Sequence, residues 1–288
     1  MDEKTTVALV TGASRGAGRG IAIALGSHGC TVYVTGRSRK SGDHPLAGTV
    51  YETAEAVTAA GGKGIAVACD HGDDEQVKGL FEQIAAEQGR LDILVNNAAA
   101  VYDELTLPGN FWEKPLKLAD MIDVGIRSSY VASWYAAPML VASGKGLIVF
   151  TSASGAVHYS LGAAYGAHKA SLDKMAFDMA ADFKHARANV AAVSIWMGAV
   201  MTERLKMVIS SAPEKFAGLE GMSETPEFTG HLVWALFNDA GLQDKTGQTL
   251  IGAELAVEYG ITDEGRQPVS YRETHQVAPF TYYPIEIS

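Results

Sequence analysis

Residues 6–25 read T-V-A-L-V-T-G-A-S-R-G-A-G-R-G-I-A-I-A-L. The first five are apolar or β-branched and suit a short buried strand. Gly12, Gly16 and Gly18 follow, and then Ile21, Ala22, Ala24 and Leu25 recur at helical spacing. Strand, glycine-rich turn and helix start form the setting in which a glycine motif becomes informative. Glycines let the backbone turn tightly and come close to a pyrophosphate, whose charge the helix N-terminus favours. The spacing is G-x-x-x-G-x-G, not the commoner G-x-G-x-x-G. A glycine-rich turn without a ligand is the competing reading.

The next strand, 31–35, reads T-V-Y-V-T and runs into Gly36-Arg37-Ser38-Arg39-Lys40. An acid at this point would take the ribose hydroxyls of NAD, whereas an arginine accommodates a 2′-phosphate. No acid is present, and Arg37 can make a forked phosphate contact. Arg15, in the glycine-rich turn, adds charge to the same place. Arg39 and Lys40 suit a solvated loop equally well.

Further strand patterns lie at 65–68, 91–95, 147–150, 189–195 and 246–252, and helical patterns at 50–60, 73–88, 117–142 and 226–239. Alternation of this kind predicts an α/β fold with one doubly wound parallel sheet of about seven strands and helices on both faces. No linker divides the chain, so residues 1–288 read as a single NADP(H)-binding domain. Asp70, at the end of the third strand, suits an adenine amino group or a local turn cap. Asn97 and Ala98 sit in N-N-A-A after the fourth strand, where small residues let the backbone pass close to a nucleotide. Gly125 interrupts the 117–142 pattern at a cost of about 1 kcal/mol relative to Ala. Residues of about 199–226 are mixed and Met-rich, which suits a mobile lid over an apolar substrate. The extension at about 262–288 is polar, then aromatic at Phe280, Tyr282 and Tyr283; a subunit contact is one role for it.

A second stretch, 146–171, holds the chemistry: G-L-I-V-F-T-S-A-S-G-A-V-H-Y-S-L-G-A-A-Y-G-A-H-K-A-S. Its strand ends at Ser152, on the edge of an open α/β sheet where ligands bind. Tyr165 and Lys169 are four apart and share one helix face. A free phenol, with a pKa near ~10, transfers protons poorly at neutral pH. A cationic Lys beside it is expected to lower that value. Ser152 can hold a carbonyl oxygen against the phenol while hydride reaches the carbon, or the reverse can run. Tyr-x-x-x-Lys pairs also arise by chance on solvated helices; the serine thirteen positions earlier makes the set specific. His158 and Tyr159 are placed to line the pocket, although packing explains them as well.

Composition narrows the alternatives. A formal net charge of −10 argues against a nucleic-acid partner held through phosphates. Two cysteines, Cys30 and Cys69, without CxxC spacing point to a reducing compartment. The eight histidines show no metal-ligand spacing, so no metal is expected. No apolar run is long enough to span a membrane, and the acidic start shows no signal peptide. The chain therefore reads as cytoplasmic. Met175, Ala176, Phe177, Met179 and Ala180 give the helix after Tyr165 more apolar surface than one buried face needs, which predicts a homodimer or homotetramer.

Taken together, T-G-A-S-R-G-A-G, Cys69-Asp70, N-N-A-A, Ser152 and Y-G-A-H-K resemble the short-chain dehydrogenase/reductase superfamily in order and spacing, over roughly the first 255 residues. The resemblance implies a Rossmann-type fold, a nicotinamide cofactor and Tyr165 as acid/base. It implies that Lys169 binds the nicotinamide ribose and tunes Tyr165, and that Ser152 holds the substrate oxygen. Gly12, Ser14, Arg15, Gly16, Gly18, Arg37, Asp70, Asn97 and Ala98 then hold the cofactor, with Gly198 and Thr202 at its nicotinamide end. D-V-G-I-R and L-A-V-E-Y-G-I-T-D-E-G-R-Q-P look like the dehydrogenase/reductase SDR family member 1 group, which is similar to NADPH-dependent carbonyl reductases. Two positions depart from the family pattern. Gly125 stands where an Asn is frequent, and Met197-Gly198 stands for Pro-Gly. The expected activity is reduction of a ketone or aldehyde with NADP(H). Oxidation of an alcohol or hydroxysteroid by the same residues is one alternative, and a non-catalytic NADP(H)-binding sensor or scaffold is another.

Overall fold

The computed structural model describes residues 5–283 apart from 212, 215 and 217. The expected domain, lid and extension therefore include positions 1–4, 212, 215, 217 and 284–288 that lie outside the described residues. Seven strands pair in parallel, in the order β3-β2-β1-β4-β5-β6-β7. They are β1 (Val7–Val10), β2 (Thr31–Gly36), β3 (Lys63–Ala68), β4 (Ile93–Asn96), β5 (Gly146–Ser152), β6 (Val190–Trp196) and β7 (Thr249–Ile251). β1, β2, β4, β5 and β6 are buried along their whole length, while the edge strands β3 and β7 are partly exposed. That contrast follows from helices covering both faces of the central strands. Strand order reverses between β1 and β4, which opens a crevice at the carboxyl ends.

Helices α1 (Gly16–Ser27), α2 (Val50–Ala59) and, later in the chain, α8 (Phe228–Asn238) cover one face. Ile21, Leu25, Val57, Leu232 and Leu236 pack there against Val10, Val34 and Val95. α3 (Asp74–Gln88), α4 (Ser128–Ala142) and α5 (Ala163–His185) cover the other, through Leu80, Phe81, Ile84, Ala136, Leu172 and Phe183. Local chemistry sets the helix ends. Thr49 and Glu52 cap α2 reciprocally, Asp73 accepts from the first turn of α3, and Gly89 closes α3 in the left-handed region.

Three expectations change. The 117–142 helix is a 3-10 turn at Leu116–Ala119, a π-helical segment at Met121–Arg127, and then α4. The hydroxyls of Ser128 and Ser129 bond back to the carbonyls of Val124 and Gly125 in that wide turn. The last strand is shorter than 246–252, because Gly252 already begins α10 (Gly252–Tyr259). The apolar surplus on α5 is also smaller than expected. Ala176 and Ala180 are core, and the Phe177 ring lies 5.1 Å from Tyr282 of the C-terminal extension. The remaining short helices are α6 (Glu203–Ser211), α7 (Leu219–Met222), α9 (Leu242–Lys245) and α11 (Tyr271–His275).

Candidate active site

β5 ends at Ser152, whose side chain is fully buried. Its Oγ donates to the Lys169 carbonyl at 3.2 Å, and Lys169 Nζ donates to the Thr151 carbonyl at 2.9 Å. Lys169 Nζ lies 5.8 Å from the centre of the Tyr165 ring. That ring lies flush on Gly155, where an added Cβ would come within 2.5 Å of Cε1. Leu105, Leu118 and Met121 hold its other side. Strand end and helix face thus bring Ser152, Tyr165 and Lys169 together as expected from their spacing.

Their electrostatics differ from the expectation. Burial pushes the Tyr165 phenol up to about 12, and Lys169 does not pull it down. Burial also lowers Lys169 to about 8, against the opposing pull of Asp173. The ammonium is directed at the Thr151 carbonyl, and desolvation of the phenol prevails over the charge nearby. At neutral pH the site therefore holds a protonated phenol beside a charged amine, the form that gives a proton away.

His168, beside Lys169, is 1% exposed. Its ring occupies the space above Gly125, where a Cβ would meet Nε2 at 2.6 Å. Burial holds it neutral, down to about 2. The Gly125 carbonyl accepts from Ser129 Oγ at 2.7 Å. His158 Nε2 lies 3.1 Å from Ser154 Oγ, two residues past Ser152, while Tyr159 is 82% exposed.

Two residues that sequence reasoning missed border this site. Tyr271, from the C-terminal extension, lies close enough to raise the Tyr165 phenol, and burial raises its own. Glu224, two residues after Met222, is 4% exposed and accepts from the Gly198 N–H at 2.9 Å. Burial pushes its carboxyl up to about 7. Neither belongs to a local motif; both arrive through pairing of 199–201 with 224 and of Thr225 with Asp263.

A cavity of about 610 Å³ runs along the crevice. Gly12, Ser14, Arg15, Gly16, Gly18, Arg37, Asp70, Asn97, Ala98 and Thr202 all line it; Gly198 does not. Gly12 and Gly16 have φ of +63° and +59°, which only glycine adopts without strain. A Cβ on Gly18 would meet Asn97 Nδ2 at 2.3 Å, and that amide donates to the Thr11 and Gly12 carbonyls. Asn97 thus braces the turn rather than pointing outward. The Gly16 N–H, at the start of α1, donates to Glu203 Oε2 at 3.0 Å. This carboxylate, from the helix that begins at Glu203, stands where a phosphate oxygen is expected, so the terminus does hold an anion.

Arg15 is tied to Ser38 Oγ at 2.6 Å and to the Gly48 carbonyl at 2.8 Å. Arg37 is 63% exposed, 4.0 Å from Asp70 Oδ2. Asp70 Oδ1 accepts from the Gly72 N–H, so the turn-cap reading holds for one oxygen and leaves the other at the cavity. A glycine turn, a helix terminus that takes a carboxylate, and two arginines without an acid after β2 fit a dinucleotide. Among the described residues, no cluster of three His, Cys, Asp or Glu could hold a metal ion. No helix there is long and apolar enough to cross a membrane.

Comparison with known proteins agrees with this geometry. The short chain dehydrogenase family profile matches residues 6–212. Dehydrogenase/reductase SDR family member 1 of Mus musculus is 40% identical over 277 residues, covering 92% of this chain and 85% of the relative. The Homo sapiens protein of that name is 39% identical over 274 residues, covering 91% and 84%. Hydroxysteroid dehydrogenase-like protein 2 of Xenopus tropicalis is 30% identical over 260 residues, 88% of this chain but 58% of that protein. A crystal structure from Xanthomonas campestris overlays with a TM-score of 0.76 at 25% identity, covering 92% of this chain and 96% of that one. The chain belongs to the short-chain dehydrogenase/reductase family, and within it resembles dehydrogenase/reductase SDR family member 1.

Proposed function

We propose that this oxidoreductase reduces a ketone or aldehyde with NADP(H). The observation that carries the reading is the half-buried Tyr165 phenol, held protonated at neutral pH by desolvation, beside a charged Lys169 that is bonded through its carbonyl to Ser152. When bound, the nicotinamide would supply the hydride. Ser152 turns its hydroxyl from the Lys169 carbonyl to the substrate oxygen and orients it. Tyr165 then donates its phenolic proton to that oxygen. The phenolate left behind beside the charged Lys169 takes back a proton from solvent, which restores the phenol for the next turnover. Arg37 and Arg15 support NADP(H) over NAD(H), because the end of β2 offers charge for a 2′-phosphate and no acid for a ribose diol.

Oxidation of an alcohol by the same residues is the second reading, and the intact site serves both directions. A sensor without turnover is the third. The test is purified protein with NADPH and a panel of carbonyls, followed by loss of reduced-nicotinamide absorbance. Tyr165→Phe should abolish turnover and leave NADPH binding nearly intact. If wild type binds NADPH, reduces nothing and matches Tyr165→Phe, the reductase reading fails. We also propose a homodimer or homotetramer. Tyr130, Trp134 and Val141 of α4 are 55%, 63% and 45% exposed beside Met179 of α5, in a groove of about 520 Å³. A monomer by sedimentation at micromolar concentration would refute this. The cytoplasmic reading is likewise a proposal, supported by two buried, unpaired cysteines.

A further inference from the structure

β6 pairs with β5 in a register that sets Trp196 beside Ser152. Asp173, four residues after Lys169, lies on the same face of α5 as Tyr165 and Lys169. Its side chain enters between the helix and these strands and is 2% exposed. Asp173 Oδ1 accepts from Ser194 Oγ at 2.5 Å, and Oδ2 accepts from Trp196 Nε1 at 2.8 Å. Ser152, Ser194 and Trp196 have no exposed surface at all.

A carboxyl group placed there costs stability unless its oxygens are satisfied. Two donors, the Ser194 hydroxyl and the Trp196 indole N–H, converge on it, and an indole N–H can only donate. Burial raises the Asp173 carboxyl above its ordinary value, and the donors and the Lys169 charge work against that rise in favour of the carboxylate. The charge then sits one helical turn from a buried ammonium. The groups facing Lys169 are few. They are Tyr165 and Asp173 on its own helix, the neutral His168 next to it, and the Thr151 carbonyl on β5. Asp173 is the anion among them.

We infer that Asp173 is a positioning residue of this site, which anchors the Lys169 face of α5 to β6 and keeps Lys169 cationic. The role in catalysis rests on the reductase reading; the action on Lys169 does not. Phenol, ammonium and carboxylate then follow one another along one face of α5, and the carboxylate is tied to β6 so that the row cannot rotate away from Ser152. A purely structural Asp173 would join α5 to β6 and leave the Lys169 titration alone.

Asp173→Asn separates the two. The amide keeps the size, can accept from Trp196 and can donate to Ser194 Oγ, but it has no charge. The readout is NMR titration of protein labelled at lysine Cε, with the Lys169 signal identified by its loss in Lys169→Met. In Asp173→Asn, the Lys169 pKa should fall by about one unit or more, a tenfold change in its protonation equilibrium. Ser194→Ala removes one bond between β6 and α5 but not the charge, and should leave the titration in place. An unmoved Lys169 in Asp173→Asn, or an equal fall in Ser194→Ala, overturns the inference. If Asp173→Asn does not fold, Asp173→Ser reads the same shift. With an active carbonyl substrate, the alkaline limb of the pH–rate profile should move down in step with Lys169. Wild-type turnover with an unmoved Lys169 refutes the role of Asp173 and spares the reductase reading. A shifted Lys169 in a protein that reduces nothing does the opposite.

Discussion

Replacing Gly125 by Asn, the residue frequent in the family, should destabilise this protein through a single neighbour. A Cβ at 125 would lie 2.6 Å from His168 Nε2, 2.7 Å from Cδ2 and 2.9 Å from Cε1. His168 is buried and its ring has no room to retreat as a flexible chain end would. Forcing atoms into a packed site costs about 1–3 kcal/mol. Leaving glycine in a helical segment returns only a few tenths of a kcal/mol, on the order of 0.3. The net loss is about 1–2.5 kcal/mol, or a Tm fall of about 2–10 °C for a domain of this size. Urea unfolding of four proteins tests it: wild type, Gly125→Asn, His168→Ala and the double variant. With the ring removed, Asn at 125 should cost far less, giving a coupling of about 0.5–3 kcal/mol. An equal cost in both backgrounds would refute the reasoning, because the clash would then not be with His168.

Other outcomes follow from the cofactor groove and the buried carboxyl. Arg37→Ala should weaken NADPH binding by about 1.5–3 kcal/mol and barely change NADH binding in calorimetric titration; equal losses would contradict the 2′-phosphate role. Glu203→Gln removes a carboxylate from the start of α1. Dinucleotide phosphates then no longer compete with it, and NADPH affinity should rise by about 0.3–1 kcal/mol, roughly two- to fivefold; weaker binding would show that Glu203 aids the cofactor. Glu224 ionises near 4.5 when unfolded and about 7 when folded. Between those values the unfolded chain binds fewer protons, so its contribution to stability is complete below 4.5 and is lost as pH rises to 7, by about 3 kcal/mol. Urea unfolding at pH 5 and pH 7.5 should show that loss in wild type but not in Glu224→Gln, and matching pH slopes would disprove it.

The doubly wound parallel sheet of about seven strands, the glycine turn and the Ser152, Tyr165 and Lys169 set were legible from residues alone. Each rests on local regularities: β-branched runs, glycines at fixed offsets, and a four-residue spacing that puts two side chains on one helix face. Residues close in sequence meet in the same way wherever the element sits. The need for glycine at 125, within the π-helical segment, was not legible, because what fills the space of a side chain there is the imidazole of His168 on another helix. Nor was the high pKa of Tyr165, since its cause is desolvation by Leu105, Leu118, Met121 and Gly155, three of them far along the chain. Asp173, Glu224 and Tyr271 look like ordinary polar residues in sequence. The register of β6 against β5 brings Trp196 to Asp173, and the bridge between Val200 and Glu224 brings Glu224 to Gly198. Charge and proton affinity in a buried site depend on such distant neighbours, and only packing determines which ones arrive.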